Sequence, residues 1–224
     1  MSRQKHLLLI LLSFSIAWHC LGQENTTPSA EKNEVYLTVF SFRSGYGYLD
    51  ELDYVVSFFN GVGYKRHIGN HAIRLGLGYK NDHYNWRYEA YGTESYREGK
   101  FNLGYQFNLM DKSVQPYVAA DLLYLVAKYK SESMGGWWGD WYSMQNLDQH
   151  GIGFGTALGI KFILPKSFSI AFEGNIEFLW IHSKGTTIRN EYPNPSPRNT
   201  YPVDTVDFTT FSNPLQSFSL NYTF

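Results

Sequence analysis

Apolar and polar residues alternate along most of the chain beyond residue 34. In residues 101 to 109, large apolar side chains occupy the odd positions, and glycine, asparagine or glutamine occupies the even ones. The same period of two recurs in residues 71 to 80, 152 to 162, 168 to 180 and 217 to 224. Because successive side chains of a β-strand point to opposite faces, each segment is predicted to be a strand with one apolar face.

Three further segments, residues 34 to 43, 53 to 67 and 115 to 130, complete a set of eight predicted strands. In the first of them two sets of alternate residues compete for the apolar face, and its facing stays open: Val35, Leu37 and Val39, or Tyr36, Phe40 and Phe42. A barrel of ten strands is the alternative if the tyrosine-rich stretch from 81 to 98 contains its own hairpin.

Short and long connections alternate along the chain. Gly69-Asn70 is a two-residue hairpin signal, and residues 111 to 113 and 164 to 166 form the other short turns. The longer connections are rich in Gly, Asn, Pro and Tyr, and we expect them to be loops: residues 44 to 52, 81 to 98, 131 to 149 and 184 to 207. This order predicts an up-and-down antiparallel sheet with all short turns at one end.

The short turns also predict which residues pair across strands. The turn at Gly69-Asn70 pairs Ile68 with His71, and therefore Lys65 with Arg74. A three-residue turn at 164 to 166 pairs Phe162 with Phe168. The two hairpins join apolar with apolar faces, which supports the strand assignment.

Composition excludes several classes of protein. Of the 224 residues, 18% are aromatic and 17% charged, and 20 are glycine. No apolar run reaches the roughly 20 residues that a membrane-spanning helix needs, and disordered chains are poor in aromatic residues. A formal charge of -1 gives no electrostatic reason to expect a nucleic-acid partner.

The N-terminal segment has the pattern of a secretory signal. Arg3 and Lys5 precede an apolar run from residue 7 to 17, which is followed by Cys20-Leu21-Gly22. We therefore predict a cleaved signal peptide at 1 to 22, a flexible lead at 23 to 33 and one β-barrel domain at 34 to 224. A retained anchor and lipidation of Cys20 are the alternatives. Cleavage after Gly22 removes the only cysteine, which would exclude disulfides.

The polar face of the predicted strands is rich in glycine, so it fits the confined interior of a small barrel better than the bulky face does. The apolar face would then contact lipid. With its signal peptide, eight strands and terminal aromatic residue, the chain resembles the small outer-membrane barrels of the OmpA and OmpX type. The resemblance implies an all-β, eight-stranded antiparallel up-and-down transmembrane β-barrel, with short periplasmic turns and long extracellular loops.

The resemblance also implies a location and partners. The protein is expected in the outer membrane of a Gram-negative bacterium, surrounded by outer-membrane lipid. The last strand looks like the segment that such barrels present to the outer-membrane assembly machinery, through its alternate residues Phe218, Leu220, Tyr222 and Phe224. No cofactor is expected.

Charged residues on the inward face are nearly balanced in sign, and we expect a structural ion-pair network that fills the lumen. Its members are Lys65, Arg74, Lys80, Asp121, Lys161, Glu173 and Glu177. Arg74 is expected to contact Glu173 or Asp121, the carboxylates nearest to it in height. An ion path or a catalytic carboxylate pair is the alternative, although Glu173 and Glu177 stand roughly 13 Å apart along one strand.

The third long connection contains a cluster of aromatic residues among glycines: Trp137, Trp138, Trp141 and Tyr142. These rings could form a stacking platform for a protein or glycan partner, or they could anchor the barrel rim among lipid headgroups. We expect a non-enzymatic structural or surface-interaction barrel that acts through its extracellular loops. A small pore or transport barrel is the alternative.

A lipid-modifying enzyme is a weaker alternative. Outer-membrane lipid A deacylases use a His and a Ser two residues apart, whereas His182 and Ser183 are adjacent and would point to opposite faces. Palmitoyl-transfer barrels use loop His, Ser and Asp residues, and Ser143, Asp148 and His150 are the candidates here. No pair of histidines has the spacing of a metal site, so no metal is expected.

Overall fold

The computed structural model describes residues 32 to 44, 54 to 87, 90 to 135, 141 to 191 and 194 to 224. The predicted signal peptide, most of the lead and the connection from 45 to 53 lie outside these ranges. The described residues form eight strands: β1 (Lys32–Ser44), β2 (Tyr54–Ile68), β3 (His71–Arg87), β4 (Ala90–Asn108), β5 (Val114–Gly135), β6 (Trp141–Ile163), β7 (Phe168–Glu191) and β8 (Asn194–Thr223). They include no helix long and apolar enough to cross a membrane.

Each strand pairs with its chain neighbours, and β1 pairs with β8, so the sheet closes into a barrel. All pairings are antiparallel, which confirms the predicted fold class of an eight-stranded up-and-down barrel. The first strand begins two residues earlier than expected, because the backbone of Asn33, assigned to the lead, pairs with Phe224 at the seam.

The structure confirms one of the two predicted hairpin registers and contradicts the other. At the first, Ile68 pairs with His71, and Lys65 lies opposite Arg74, as the turn chemistry predicts. Gly69 has a φ of 61°, which glycine adopts without steric cost.

The second predicted register is wrong by two residues. Phe162 pairs with Ile170 rather than Phe168, because the turn places two non-glycine residues in the left-handed region, Lys166 at φ 64° and Ser167 at φ 67°. The backbone N–H of Leu164 donates to the Phe168 carbonyl and closes the hairpin there. A slip of two residues leaves every side chain on its predicted face.

Most of the expected long loops are continuations of the strands. Arg87 pairs with Tyr91, so residues 81 to 87 and 90 to 98 continue β3 and β4, and the described part of this stretch adds no further strand. Residues 131 to 135, 141 to 149, 184 to 191 and 194 to 207 likewise continue β5 to β8. These extensions lack a consistently apolar face, and therefore the period-two signal could not reveal them.

A bulge in β1 explains why both of its alternating patterns looked apolar. The register shifts between Thr38 and Phe40 on both sides of β1, and against β8 Val39 is the extra residue. Before the bulge Val35 faces outward, and after it Phe40 lies outside, stacked on Phe218 at 4.9 Å between ring centroids. Because of the inserted residue, odd-numbered residues face outward before the bulge and even-numbered residues face outward after it.

The exterior of the barrel is apolar. One cross-strand row of exposed residues, which we call the apolar row, runs around six strands through Leu77, Phe101, Tyr124, Ile152, Trp180 and Phe208. Four residues further along each strand, toward the long hairpins, lies a second outward row, the charged row, formed by Asn81, Arg97, Lys128, Asp148, Lys184 and Asp204. An apolar exterior that changes to polar at one height is typical of a transmembrane barrel.

Candidate functional site

The lumen is filled by side chains in successive layers, beginning at the end with the short turns. There the Glu34 carboxylate is fully buried and contacts three basic groups, at 3.2 Å from Lys65 Nζ, 3.0 Å from Lys161 Nζ and 3.2 Å from His67 Nε2. Glu34 comes from β1, whose facing the sequence left open, and so sequence reasoning missed it. Glu34 points inward because it lies two residues before Tyr36, whose ring also faces the lumen, and alternate residues of a strand share a face.

Amides and hydroxyls surround this layer. Gln106 Nε2 donates to Asn108 Oδ1 at 2.7 Å, and Asn221 Nδ2 donates to Ser169 Oγ at 3.2 Å. All four residues are buried. Buried polar groups of this kind cost less free energy when they bond to one another, so the floor of the barrel is filled by pairs of bonded polar side chains.

Arg74 is the centre of the next layer. Its guanidinium donates two hydrogen bonds to Asp121, at 2.7 and 2.6 Å, and two to Glu173, at 2.7 and 3.0 Å. Arg74 therefore contacts both of the carboxylates that the sequence indicated as its candidate partners. The paired fork geometry holds β3, β5 and β7 together across the lumen.

Two tyrosines complete this layer. The Tyr117 hydroxyl donates to Glu173 Oε2 at 3.0 Å, and the Lys65 ammonium lies 5.2 Å and 5.5 Å from the ring centroids of Tyr36 and Tyr117. A Cβ atom at Gly159 would collide with the Tyr117 ring. Glycine at this position is therefore what allows an aromatic ring to cross the narrow interior.

A third charged layer lies nearer the long hairpins. Glu177 accepts hydrogen bonds from Lys100 Nζ at 2.5 Å and from Asn175 Nδ2 at 2.6 Å. Lys80, which we expected in the same network, instead pairs with Asp82 at 2.7 Å. The seven predicted lumen residues thus fall into separate groups, and Lys100 joins them although the sequence did not single it out.

At the height of Lys100 and toward the long hairpins, one side of the interior is apolar, which the sequence analysis did not anticipate. A buried cluster, here called the apolar plug, fills the lumen between β5, β7 and β8 and consists of Leu123, Leu125, Ala127, Leu179, Ile181 and Phe211. Leu125 and Leu179 have no exposed surface. β5 is apolar on both faces at this height, a pattern that could have revealed the plug.

The barrel wall is interrupted between β2 and β3. Their ladder ends at Gly61 and Gly78, although both strands continue toward the long hairpins. A cavity of about 160 Å³ lies there, lined both by outward residues such as Val62 and Leu77 and by luminal residues such as Arg74. The cavity therefore lies between the end of the β2–β3 ladder and the charged part of the lumen.

The predicted aromatic cluster is only partly covered by the structure, since Trp137 and Trp138 lie outside the described residues. Trp141 begins β6 opposite Gly135, and Tyr142 follows it on the other face of the sheet. The Tyr142 hydroxyl donates to Glu132 at 3.1 Å. The two described aromatic rings therefore do not share a surface.

The candidate catalytic residues are not brought together. His182 is exposed and Ser183 is buried on the opposite face. Ser143 is likewise on the other face of β6 from Asp148 and His150. In the described part of the chain, no group of three or more His, Cys, Asp or Glu side chains is placed to hold a metal ion.

His182 instead takes part in a surface ion pair. Its Nε2 lies 2.6 Å from Asp204 Oδ1, in the charged region above the apolar row. The hydrogen bond from His182 lowers the pKa of Asp204 below its ordinary value, and the nearby charges of His182 and Lys184 act in the same direction.

The C-terminal residues proposed for assembly line the outer face of the seam. Phe218 contacts Phe40 and Phe172, with ring centroids 4.9 and 5.1 Å apart. Leu220, Tyr222 and Phe224 are exposed on the same side. The last strand therefore presents a continuous apolar face.

Comparison with known proteins gives matches among solved structures only. No family model matches the chain, and no curated protein matches it. The solid-state NMR structure of outer membrane protein AlkL in DMPC bilayers is 11% identical, with a TM-score of 0.42 over 91% of this chain and 97% of that one. The NMR solution structure of E. coli outer membrane protein W is 12% identical, with a TM-score of 0.38 over 88% and 100%. By its own ring closure and apolar exterior, this chain is an eight-stranded transmembrane-type β-barrel.

Proposed function

We propose that the protein is an outer-membrane barrel with a closed lumen that acts at the cell surface as a structural or interaction protein. The observation that carries the proposal is the height of the strands. Beyond the charged row, β5 and β6 continue as a paired hairpin to Gly135 and Trp141, about 25 Å along the strand direction. A barrel that only had to cross the bilayer would not need this sheet.

The filled lumen supports the same proposal. Conduction would require a continuous water path, but the polar floor, the Arg74 layer and the apolar plug succeed one another along the interior. Leu125 and Leu179, with no exposed surface, leave no space for water between them. We therefore expect no large steady currents in planar bilayers, and ohmic conductance from intact protein would favour a pore instead.

The extended sheet is the proposed contact surface, with Trp141 at the outer end of β6. The test is to probe protein and glycan arrays with the whole chain and with a variant carrying Trp137→Ala, Trp138→Ala and Trp141→Ala. Trp180→Ala, in the apolar row, is the matched control. We expect the triple variant alone to lose its partner. If it keeps every partner and changes only its depth in the bilayer, the tryptophans are membrane anchors.

A transport role is the second candidate, favoured by the side opening between β2 and β3. The cavity there joins an apolar exterior to the buried charges around Arg74, so a small amphiphile could enter from the membrane. Gly78→Phe, at a position that lines the cavity, would fill it. A transport barrel would then lose uptake of such a compound, whereas a surface-interaction barrel would keep its partners.

A further inference from the structure

A group of cations stands out on the exterior where β4 and β5 leave the apolar band. Arg97 and Lys128 are direct cross-strand partners in the charged row, and Lys130 lies on the same outer face two residues further along β5. All three side chains are exposed. We call these three residues the basic patch.

The neighbouring acidic groups neutralise the basic patch only in part. Asp148 lies 3.5 Å from Lys128, in a pair whose side chains are 69% and 66% exposed, and the exposed Glu132 lies two residues beyond Lys130 on the same face. Three cations and two carboxylates leave this surface with a net positive charge. Arg97 donates through Nε to the Asn81 amide oxygen at 3.3 Å, which is a neutral partner. Like charges that face each other across two strands destabilise the pair unless an anion lies between them.

The position of the basic patch indicates which anion it would meet. Arg97 and Lys128 are four residues beyond Phe101 and Tyr124 of the apolar row, about 13 Å along the strands. With strands tilted by about 40°, the basic patch is about 10 Å above the apolar row, at the height where the exterior changes from apolar to polar, which is where lipid headgroups are expected. The long hairpins mark this side as the outer leaflet.

The surface beneath the cations is open. Gly99 lies between Arg97 and Phe101, and a Cβ atom placed there would have no neighbour closer than the Val126 carbonyl oxygen at 4.0 Å. The glycine leaves a shallow depression, bordered by Tyr79 and Val126, its partners on the two adjacent strands. A sugar or the start of an acyl chain fits such a depression.

We propose that the basic patch binds the phosphate of a phosphorylated glycolipid in the outer leaflet. Arg97 and Lys128 would hold the phosphate oxygens, Lys130 would add charge from above, and the lipid chains would lie along the exposed apolar residues below Gly99. The proposal rests on the outer-membrane placement proposed above.

The test uses the full mature chain folded in detergent, with bound lipid measured by native mass spectrometry. The probes are lipid A with both phosphates, the same lipid without phosphates, and inorganic phosphate. We expect Arg97→Gln with Lys128→Gln to weaken binding of phosphorylated lipid A about thirtyfold, from about 1 kcal/mol for each cation, and Lys130→Gln to weaken it about fivefold. Lys32→Gln with Lys166→Gln, at the opposite end, is the matched control and should bind as the parent does.

Three results would overturn the proposal: equal binding of the dephosphorylated lipid, equal binding by the double variant, or displacement of the lipid by an equal concentration of inorganic phosphate. The last would make the ligand a free ion. Insertion into vesicles, followed by the difference in gel migration between heated and unheated protein, is measured in parallel. Failure to insert contradicts the outer-membrane placement, whereas insertion without phosphate preference contradicts the lipid site alone.

Discussion

The two halves of the lumen are closed by opposite chemistry. In the half near the short turns, charged side chains fill the space in bonded groups. Arg74 pairs with Asp121, and Glu34 pairs with Lys65. In the half near the long hairpins, the buried apolar cluster around Leu125 and Leu179 fills the side formed by β5, β7 and β8, next to Lys100 and Glu98 of β4. A polar filling is stable only while every member has its partner, whereas an apolar filling depends only on fitting the space.

The largest effect should come from breaking the polar half at its centre. Arg74→Ala leaves Asp121 and Glu173 without their shared guanidinium, and we expect a loss of about 3–5 kcal/mol in the free energy of unfolding. Urea unfolding in lipid vesicles, followed by tryptophan fluorescence, measures it. Unchanged stability would mean that the two carboxylates find other cations, with Lys65 the nearest alternative.

Breaking the apolar half should cost somewhat less. Leu125→Ala creates a cavity beside Leu179, with an expected loss of about 2–5 kcal/mol that depends on how far the surroundings collapse. This loss should not vary between low and high salt, because no charge is removed. A strong salt dependence would contradict the view that the apolar plug is held by packing alone.

Glu173→Ala tests how far the polar half tolerates partial damage. Arg74 keeps both hydrogen bonds to Asp121, but the Tyr117 hydroxyl loses its acceptor, and we expect a loss of about 1–3 kcal/mol. Glu173→Gln, which keeps the shape and one acceptor, should recover part of the loss. Equal losses in the two variants would show that charge rather than hydrogen bonding matters at this position.

The smallest effect is expected at an ion pair that is exposed to water, the pair between His182 and Asp204. The pKa of Asp204 is lowered in the folded protein by His182, so the stabilising contribution is present above the ordinary aspartate pKa and is lost as pH falls through the lowered value. In an NMR titration of the Asp204 carboxyl, His182→Gln should raise the midpoint toward that of a free aspartate. Because the pair is exposed, high salt should have a similar effect, and an unchanged midpoint in both experiments would show that the pair does not form in solution.

The sequence predicted the strands, their order and the outward face because a bilayer requires alternation on one side of every strand that crosses it. It predicted the cross-strand pairing of Lys65 with Arg74 because a two-residue turn leaves little choice of register. It missed Glu34, whose strand changes face at a bulge, and the apolar plug, since Leu123 and Leu125 lie opposite an equally apolar exterior. It also missed the strand extensions, where water on the outside removes the need for an apolar face.

Two joins of the barrel are much shorter than the others. At the seam, β1 and β8 are paired from Asn33 with Phe224 to Ser41 with Ser217, with the Val39 bulge inside this ladder. β2 and β3 are paired only from Gly61 with Gly78 to Ile68 with His71, whereas β7 and β8 are paired along almost their whole length. Under mechanical or thermal load, a closed ring parts first at its shortest rows of backbone hydrogen bonds, and these two rows lie on either side of the β1–β2 hairpin. The lifetime of the closed ring is therefore a property of its first two strands.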